Sequence, residues 1–343
     1  MGLNMQTEIR SRDQIVLNYL DLKVIPSYHC DMNCNYCYNN TIQNKYCEDT
    51  INLIKNLTNV IEKYEKEVVI ELIGGEPLSS HSYAITDKIL DHIMSLKNEK
   101  VKVVLQTGSS NLRKIKDSLE KIDGLSYSVD ISGSHKAHNL NKLEELVVYC
   151  NDYEVPLQIQ TVLSLKDTIE DIDNFINTCR SYGVKWLGLG YPQFQKYNSK
   201  EIKLQTKIYS DLINGLDKYK NIYVGGNPLQ SILDFLGGWG YETSCYCGEK
   251  CITIEPDGRI SPCLYLRPDD FKSIDTFLII KHKREKALRD GECSNCEMWA
   301  VCHGGCMVNA MFLMGDINCC DKIQCKLMKN LVDTVRLPTF LKT

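Results

Sequence analysis

The sequence predicts an α/β fold, in which a parallel sheet of six strands carries its helices on the outside and a small cysteine-rich module follows. Two observations predict it. From about residue 18 to 195, short apolar and β-branched runs alternate with amphipathic segments. From residue 241 the composition changes to cysteine, glycine and turn residues. We therefore expect a domain boundary near residue 240.

Each predicted element is short and bounded by turn residues. Strands are expected at 20–27, 68–74, 101–108, 125–131, 156–163 and 184–190. Helices, with apolar residues three and four positions apart, are expected at 50–66, 83–97, 112–122, 142–150 and 168–183. Residues 196–240 are predicted to form a bridge of a long helix, a short strand and another helix. In the cysteine-rich module, EPDG at 255–258 predicts a hairpin between the runs ITI and RIS.

The composition is that of a folded protein without a strongly basic surface. The chain has 343 residues, 43% of them hydrophobic, a formal net charge of −4 and a pI near 6.0. This balance argues against a nucleic-acid partner or an anionic membrane surface. The N-terminal stretch has charges where a signal peptide needs an apolar run, and no later stretch is apolar enough to span a bilayer. We therefore expect a cytoplasmic protein.

Cysteine is the unusual feature of the composition, with 17 residues. Three lie within eight residues, and eleven lie between Cys245 and Cys325. Without an export signal, such clustering is typical of metal ligands rather than of a disulfide framework. The other three are expected to be small buried hydrophobes in or near helices. They are Cys47, Cys150 and Cys179.

The first cysteine group, CDMNCNYC at 30–37, directly follows the first strand. In parallel α/β sheets the ligand lies beyond the carboxyl ends of the strands, where this loop is placed. Iron-sulfur cubanes usually take four thiolates, so three thiolates would leave one iron open to another ligand. A zinc site completed by a distant histidine or cysteine is the alternative, and His29 is adjacent.

A second candidate element, GGEP at 74–77, ends the second strand. Gly74 and Gly75 would leave backbone oxygens accessible to a ligand ammonium group, and Glu76 would add a carboxylate. An ordinary turn at the end of a strand is the alternative interpretation of this tetrapeptide.

Together these two motifs resemble those of the radical S-adenosylmethionine (radical SAM) enzymes. The resemblance implies a partial (β/α)6 TIM-type barrel over residues 1–195. It also implies that Cys30, Cys34 and Cys37 hold a four-iron cluster whose open iron binds S-adenosylmethionine. The match includes Tyr36, the aromatic residue before the third cysteine. In this family, reductive cleavage of the bound cofactor gives a 5′-deoxyadenosyl radical, which removes a hydrogen atom from the substrate.

The resemblance extends to the rest of the cofactor site. SVDISGSHKAHN at 128–139 is similar to the segment of relatives that follows the fourth strand, although its order differs and Asn139 replaces an acid. It implies that Asp130 or Ser132 binds the cofactor ribose, and an ordinary helix cap is the competing interpretation. The residues that match the methionine-amine site of the family are Gly74, Gly75 and Glu76.

The C-terminal cysteines resemble the SPASM extension of radical SAM enzymes, which carries two auxiliary four-iron clusters. CSNCEMWAVCHGGC has the spacing C-x2-C-x5-C-x3-C, and four residues separate Gly258 from Cys263. The resemblance makes residues 241–343 a SPASM domain. The implied ligands of the first auxiliary cluster are Cys263 and Cys306 with thiols from Cys245, Cys247 and Cys251, and which of these three bind is left open. Those of the second are Cys293, Cys296, Cys302 and, as the preferred fourth ligand, Cys325.

The module has more cysteines than this pattern needs. Cys319 and Cys320 remain alternatives for the fourth ligand of the second cluster. Two structural zinc sites are the alternative for the module as a whole. By the resemblance, the cofactors are S-adenosyl-L-methionine and three 4Fe-4S clusters, one that binds this cofactor and two that are auxiliary.

The resemblance implies an oxidoreductase that matures peptides or proteins. Its sulfatase-maturing branch, which forms formylglycine, has an Asp directly after the hairpin cysteine, where this chain has Leu264. We therefore expect modification of a ribosomally made peptide, by a thioether or carbon-carbon cross-link. Formylglycine formation, oxidation of a small molecule and a non-catalytic metal-binding module are the alternatives. No residue stands out as a catalytic base.

The expected partners follow from the same resemblance. They are a precursor peptide and an electron donor such as flavodoxin or ferredoxin. Only 29 residues precede Cys30, so we expect no winged-helix leader-binding domain of ~80 residues. Any leader would then be bound by a separate protein or by another surface of this chain.

Overall fold

The computed structural model describes residues 18–32, 34, 36–41, 47–131, 142–237, 241, 243 and 245–335. The strands in these residues are β1 Leu20–Val24, β2 Val68–Leu72, β3 Val101–Thr107, β4 Gly124–Ser128, β5 Leu157–Val162, β6 Trp186–Gly190, β7 Tyr223–Gly225, β8 Cys251–Ile254 and β9 Ile260–Ser261. They form one sheet in the order β7-β6-β5-β4-β3-β2-β1-β8-β9. Neighbouring strands are parallel, except that β8 and β9 are antiparallel.

Helices connect these strands and continue into the C-terminal region. Those in the described residues are α1 Tyr38–Thr41, α2 Thr50–Lys63, α3 Tyr83–Ser95, α4 Leu112–Leu119, α5 Leu143–Asp152, α6 Ile169–Ser181, α7 Ser199–Asn214, α8 Leu229–Leu236, α9 Ile274–Asp290, α10 Trp299–Cys302, α11 Met307–Met314 and α12 Lys322–Val332. The fold prediction is confirmed: β1 to β6 and their crossover helices form a partial (β/α)6 TIM-type barrel. The helix, strand and helix of the predicted bridge are α7, β7 and α8.

Alternation along the strands separates an apolar face from a polar one. In β1, Leu20, Leu22 and Val24 are buried in the main hydrophobic core, which the helices share. Asp21 and Lys23 point to the opposite face, where the Lys23 ammonium lies 2.9 Å from the Asp21 carboxylate. The helices therefore pack on one side of β1, and charged side chains occupy the other.

The predicted hairpin is present, and it extends the barrel sheet. β8 pairs in parallel with β1, so that Asp21 lies opposite Cys251, and β9 returns beside β8. This pairing covers an edge of β1 that would otherwise expose backbone N–H and C=O groups. The cysteine-rich region thus begins as a continuation of the barrel sheet.

Helix α2 holds the turn of this hairpin against the barrel. The Asn52 side chain donates to the Asp257 carbonyl at 2.6 Å, and the Asn56 side chain donates to the Gly258 carbonyl at 2.9 Å. Two side-chain donors one helical turn apart therefore fix the turn between β8 and β9. In the portion of the chain that is described, every helix is too short or too polar to cross a membrane.

Candidate active site and auxiliary cysteine sites

The three-cysteine loop lies at the carboxyl end of β1. The Cys37 amide donates to the Cys34 carbonyl at 3.1 Å, and the Met32 amide donates to the Cys30 sulfur at 3.4 Å. Burial, with smaller contributions from neighbouring thiols and carboxylates, raises the pKa of Cys34 to about 11 and that of Cys30 to about 12. A metal centre on this loop must therefore displace these protons when it binds.

The two glycines of GGEP let the end of β2 press against the segment that leads into this loop. The Gly75 amide donates to the Ser27 carbonyl at 3.1 Å, and the Glu76 amide donates to the His29 carbonyl at 3.0 Å. Gly74 has φ +139°, which side chains rarely allow, and a Cβ at Gly75 would lie 2.3 Å from the His29 oxygen. The close approach of β2 to the cysteine loop thus requires glycine at both positions.

Glu76 joins the ends of two strands beside the cysteine loop. Its side chain is buried, and its carboxylate accepts hydrogen bonds from the Leu78 amide at 2.9 Å, the Gly108 amide at 2.9 Å and the Thr107 hydroxyl. Burial raises the pKa of Glu76, and these hydrogen bonds oppose the rise. Its negative charge in turn helps to raise the pKa of Cys30. Contact of Glu76 with a ligand ammonium group stays a prediction.

Two buried aspartates lie at the ends of the next strands. Asp130 follows β4 and Asp167 follows β5, and both contribute to a raised pKa of Tyr36, whose main cause is burial. One Asp167 oxygen accepts from the Ser164 amide at 2.6 Å. The other is buried and has no hydrogen-bond partner among the described residues. The structure thus brings together Tyr36 and Asp130, whereas Ser132 lies outside the described residues.

Asp167 is a candidate ligand-binding residue that no sequence motif singles out. It stands in SLKD between β5 and the N-cap of α6, where an acidic residue is ordinary helix-start chemistry. The available signal was its position: a polar residue beyond the carboxyl end of a parallel strand. Its buried free oxygen, rather than its residue type, makes it a candidate.

Asn39 and His29 lie around the glycine turn. The Asn39 side chain donates to the Gly74 carbonyl at 3.0 Å, while its side-chain oxygen is buried without a partner in the described structure. The His29 ring packs on His81 with 4.8 Å between ring centroids. His29, the histidine adjacent to the loop in the zinc alternative, is thus stacked on another imidazole.

Five cysteines converge beside the sheet edge, and we call them auxiliary site I: Cys245, Cys247, Cys251, Cys263 and Cys306. The Cys247 thiol lies within hydrogen-bond reach of three of the others, those of Cys245, Cys251 and Cys263. Cys306 is close enough to Cys263 and Cys245 for their charges to raise its pKa, although burial is the larger cause. All five thiols predicted for the first auxiliary cluster are therefore neighbours.

A second set of five cysteines lines one small cavity. We call this set auxiliary site II: Cys293, Cys296, Cys302, Cys320 and Cys325. Trp299, Met328 and Lys329 complete much of its wall. The Cys319 thiol instead donates to the Asp316 carbonyl at 3.1 Å, and Cys319 is not among the lining residues.

A buried polar network ties the cysteine loop to the hairpin. The Tyr28 hydroxyl donates to the carboxylate of Glu255, which also accepts from the Ser261 hydroxyl at 2.9 Å. The Arg267 guanidinium stacks 4.5 Å over the Tyr28 ring and lies 3.6 Å from Glu255. Tyr28 and Glu255 are 227 positions apart, so nothing in the sequence pattern indicates this network.

Comparison with known proteins decides the family of the first part of the chain. The model of the Radical SAM superfamily matches residues 24–179, which include the cysteine loop and the glycine turn. Residues 24–179 are a radical SAM domain. The resemblance drawn from the two motifs is therefore confirmed.

Two curated proteins and two solved structures give the wider context of this chain. Radical SAM cyclopropyl synthase TigE of Paramaledivibacter caminithermalis is 25% identical over 355 residues, covering 91% of this chain and 72% of that protein. Uncharacterized protein MJ0907 of Methanocaldococcus jannaschii is 24% identical over 221 residues, covering 61% of this chain and 74% of that protein.

Among solved structures, native anSMEcpe with bound AdoMet superposes with TM-score 0.67 and 19% identity over 92% of this chain and 96% of that chain. SuiB of Streptococcus suis, bound to its precursor peptide SuiA, superposes with TM-score 0.63 and 16% identity over 90% and 76% of the respective chains. At these identities the likeness shows that this chain shares their fold.

The residues of the radical SAM domain fit a cluster with a bound S-adenosylmethionine. The ligand atoms are of the type that iron-sulfur clusters bind, because the loop carries three half-buried thiols and these clusters are held by thiolates. The glycine turn packs directly against the segment that leads into this loop, and the free oxygens of Asn39 and Asp167 are buried acceptors. Auxiliary sites I and II fit closed clusters, since each offers at least four thiols. Among the described residues, no group of His, Cys, Asp or Glu meets the geometry of a single-ion site.

Proposed function

We propose that this radical SAM enzyme is a peptide maturase that uses S-adenosylmethionine to remove a hydrogen atom from a ribosomally made peptide and forms a cross-link. The observation that carries the proposal is that one chain contains three elements: the cysteine loop after β1, the glycine turn after β2 and ten thiols grouped in two auxiliary sites. The chemistry that S-adenosylmethionine and a four-iron cluster supply when bound is the generation of a 5′-deoxyadenosyl radical.

The chain's own residues would bind and orient these groups. Cys30, Cys34 and Cys37 would hold the cluster, with their thiol protons displaced on loading. Backbone carbonyls at the glycine turn would accept hydrogen bonds from the methionine ammonium group, and buried Asp130 and Asp167 would accept from the ribose hydroxyls. Tyr36, half-buried beside these aspartates, would cover this part of the cofactor.

The peptide substrate is supported by relatives that cover most of the chain. The relative that aligns over 91% of this chain is named a cyclopropyl synthase, which favours carbon-carbon bond formation over a thioether. Two proteins with this fold are described with peptides: SuiB with precursor peptide SuiA and anSMEcpe with the Cp18Cys peptide. An electron donor such as flavodoxin or ferredoxin is part of the proposal.

Formylglycine formation is less well supported. The residue after the hairpin cysteine Cys263 is Leu264, whose side chain has no group that can take a proton. The Leu264 carbonyl accepts from Arg267 at 3.4 Å, which places the backbone here within the hairpin network.

Co-expression with a short open reading frame encoded beside this gene tests the proposal. We expect the peptide isolated by mass spectrometry to have lost two hydrogen atoms per cross-link, with fragmentation blocked between the joined residues. The matched control is the C30A/C34A/C37A variant, which should leave the peptide unmodified. The proposal is contradicted if iron-loaded wild type leaves the peptide unchanged and turns over a small molecule in the absence of peptide. The enzyme would then act on a small molecule.

A further inference from the structure

Auxiliary site II contains one thiol more than a closed four-iron cluster uses. The C-x2-C-x5 spacing supplies three of its cysteines, Cys293, Cys296 and Cys302, and the segment before and within α12 supplies two more, Cys320 and Cys325. Both late cysteines line the cavity, and Cys320 is only 3% exposed. The question is which of these two thiols completes the site.

The two late thiols contact different members of the site and also each other. Cys320 is close to Cys293, whose pKa its charge helps to raise, after burial as the main cause. Cys325 lies near Cys296 and Cys302. The thiols of Cys320 and Cys325 are within hydrogen-bond reach of one another. The five sulfurs therefore surround the cavity with the two candidates side by side.

The backbone on either side of these thiols is fixed. The Cys320 amide donates to the Glu292 carboxylate at 2.9 Å, and the Cys325 amide donates to the Asp321 carbonyl at 2.8 Å. Asp321 in turn donates from its amide to the Gly304 carbonyl at 2.9 Å. The backbone that carries the two thiols is thus held in place, and the two candidates differ in where their side chains reach the cavity.

We propose that Cys320 and Cys325 are interchangeable fourth ligands of the cluster in auxiliary site II. This inference rests on the proposed function in that it takes the site to hold a four-iron cluster. In the exchange, the iron–sulfur bond to one thiolate breaks and that to the other forms. The proton of the incoming thiol passes to the outgoing thiolate, so charge and oxidation state are unchanged. Either thiol alone closes the site.

Iron and sulfide content of anaerobically reconstituted full-length protein tests this inference. The wild type should bind about twelve irons per chain. We expect C320A and C325A each to keep that content. C320A/C325A leaves one iron without a protein ligand and should lose iron, to about eleven if that iron alone leaves and to about eight, as in C293A/C296A, if the whole cluster does. The matched control is C319A, because the Cys319 thiol donates to the Asp316 carbonyl and Cys319 is not among the residues that line the cavity.

The outcomes separate this inference from the proposed function. If C325A alone loses as much iron as the double variant, Cys325 is the sole fourth ligand and the inference is wrong. If C320A alone does so, Cys320 is the sole fourth ligand and the inference is again wrong. It is also wrong if the double variant keeps all of its iron. Formation of 5′-deoxyadenosine by the double variant shows that its barrel is folded and loaded. A wild type that binds no iron overturns the proposed function as well.

Discussion

Single cysteines in this chain differ in what surrounds their sulfur. Cys150 on α5 and Cys179 on α6 are buried in the main hydrophobic core, and burial raises the pKa of each to about 12. Cys47 is exposed. The two core thiols behave as small apolar side chains, as the sequence predicted for them, whereas the prediction that Cys47 is buried is wrong.

Alkylation should distinguish these three thiols. Because the thiolate is the reactive form, a thiol with a pKa of about 12 is almost wholly protonated and inert at pH 8. We expect iodoacetamide to modify Cys47 in the native protein and to leave Cys150 and Cys179 unmodified, as measured by peptide mapping. Labelling of Cys150 or Cys179 at the rate of Cys47 would contradict their placement in the core.

Gly75 is the residue at which a single methyl group should do most harm to the cofactor site. In Gly75→Ala the new Cβ would meet the His29 oxygen at 2.3 Å, so the glycine turn must move away from the cysteine loop. We expect at least a tenfold loss of S-adenosylmethionine affinity, about 1.4 kcal/mol, by equilibrium binding. Gly124→Ala is the control, because its Cβ would meet Val104 at an ordinary 3.5 Å. Equal affinities of the two variants for S-adenosylmethionine would show that the glycine turn is not part of the cofactor site.

At the scale of elements, the hairpin of β8 and β9 joins the two parts of the chain. Its turn is held by Asn52 and Asn56 of α2, and its first strand completes the edge of β1. Glu255, at the end of β8, accepts the Tyr28 hydroxyl two residues before the first cluster cysteine. Movement of the hairpin should therefore reach the cysteine loop.

Gly258→Ala tests the fit of the hairpin turn against α2. Gly258 has φ +82°, and a Cβ there would lie 2.6 Å from the Asn52 backbone. We expect a loss of about 1–3 kcal/mol in the free energy of unfolding, from strain and the forced displacement of the turn. Gly315→Ala is matched, because Gly315 has φ +73° but open space around its Cβ. Gly258→Ala should unfold at a lower temperature than Gly315→Ala. Equal losses of unfolding free energy in the two variants would show that the contact with α2 does not contribute to stability.

Sequence patterns predicted the local elements and missed the pairings between distant ones. The alternation of Leu20, Leu22 and Val24 with polar residues indicates β1 directly, because its period of two is local. The pairing of β1 with β8 joins residues far apart in sequence, and no local pattern encodes it. Asp167 was missed for the same reason, because its proposed role depends on the residues that pack around it in the folded chain.

Across the whole molecule, the barrel presents one open set of thiols and the C-terminal region two fuller sets. The loop after β1 has three cysteines, of which Cys30 and Cys34 lie near Glu76, while auxiliary sites I and II have five cysteines each. The motifs predicted these groupings because metal-ligand spacing is itself a local pattern. Which thiol of a surplus binds depends on packing, and the sequence left that choice open.

The central claim is that the loop with three cysteines supports reductive cleavage of S-adenosylmethionine. The most direct measurement is 5′-deoxyadenosine, quantified after anaerobic incubation of reconstituted protein with S-adenosylmethionine and dithionite. We predict that the wild type forms it and that C30A/C34A/C37A does not, while C47A matches the wild type. Iron-loaded wild type that forms no 5′-deoxyadenosine, or a triple variant that still forms it, would contradict the claim.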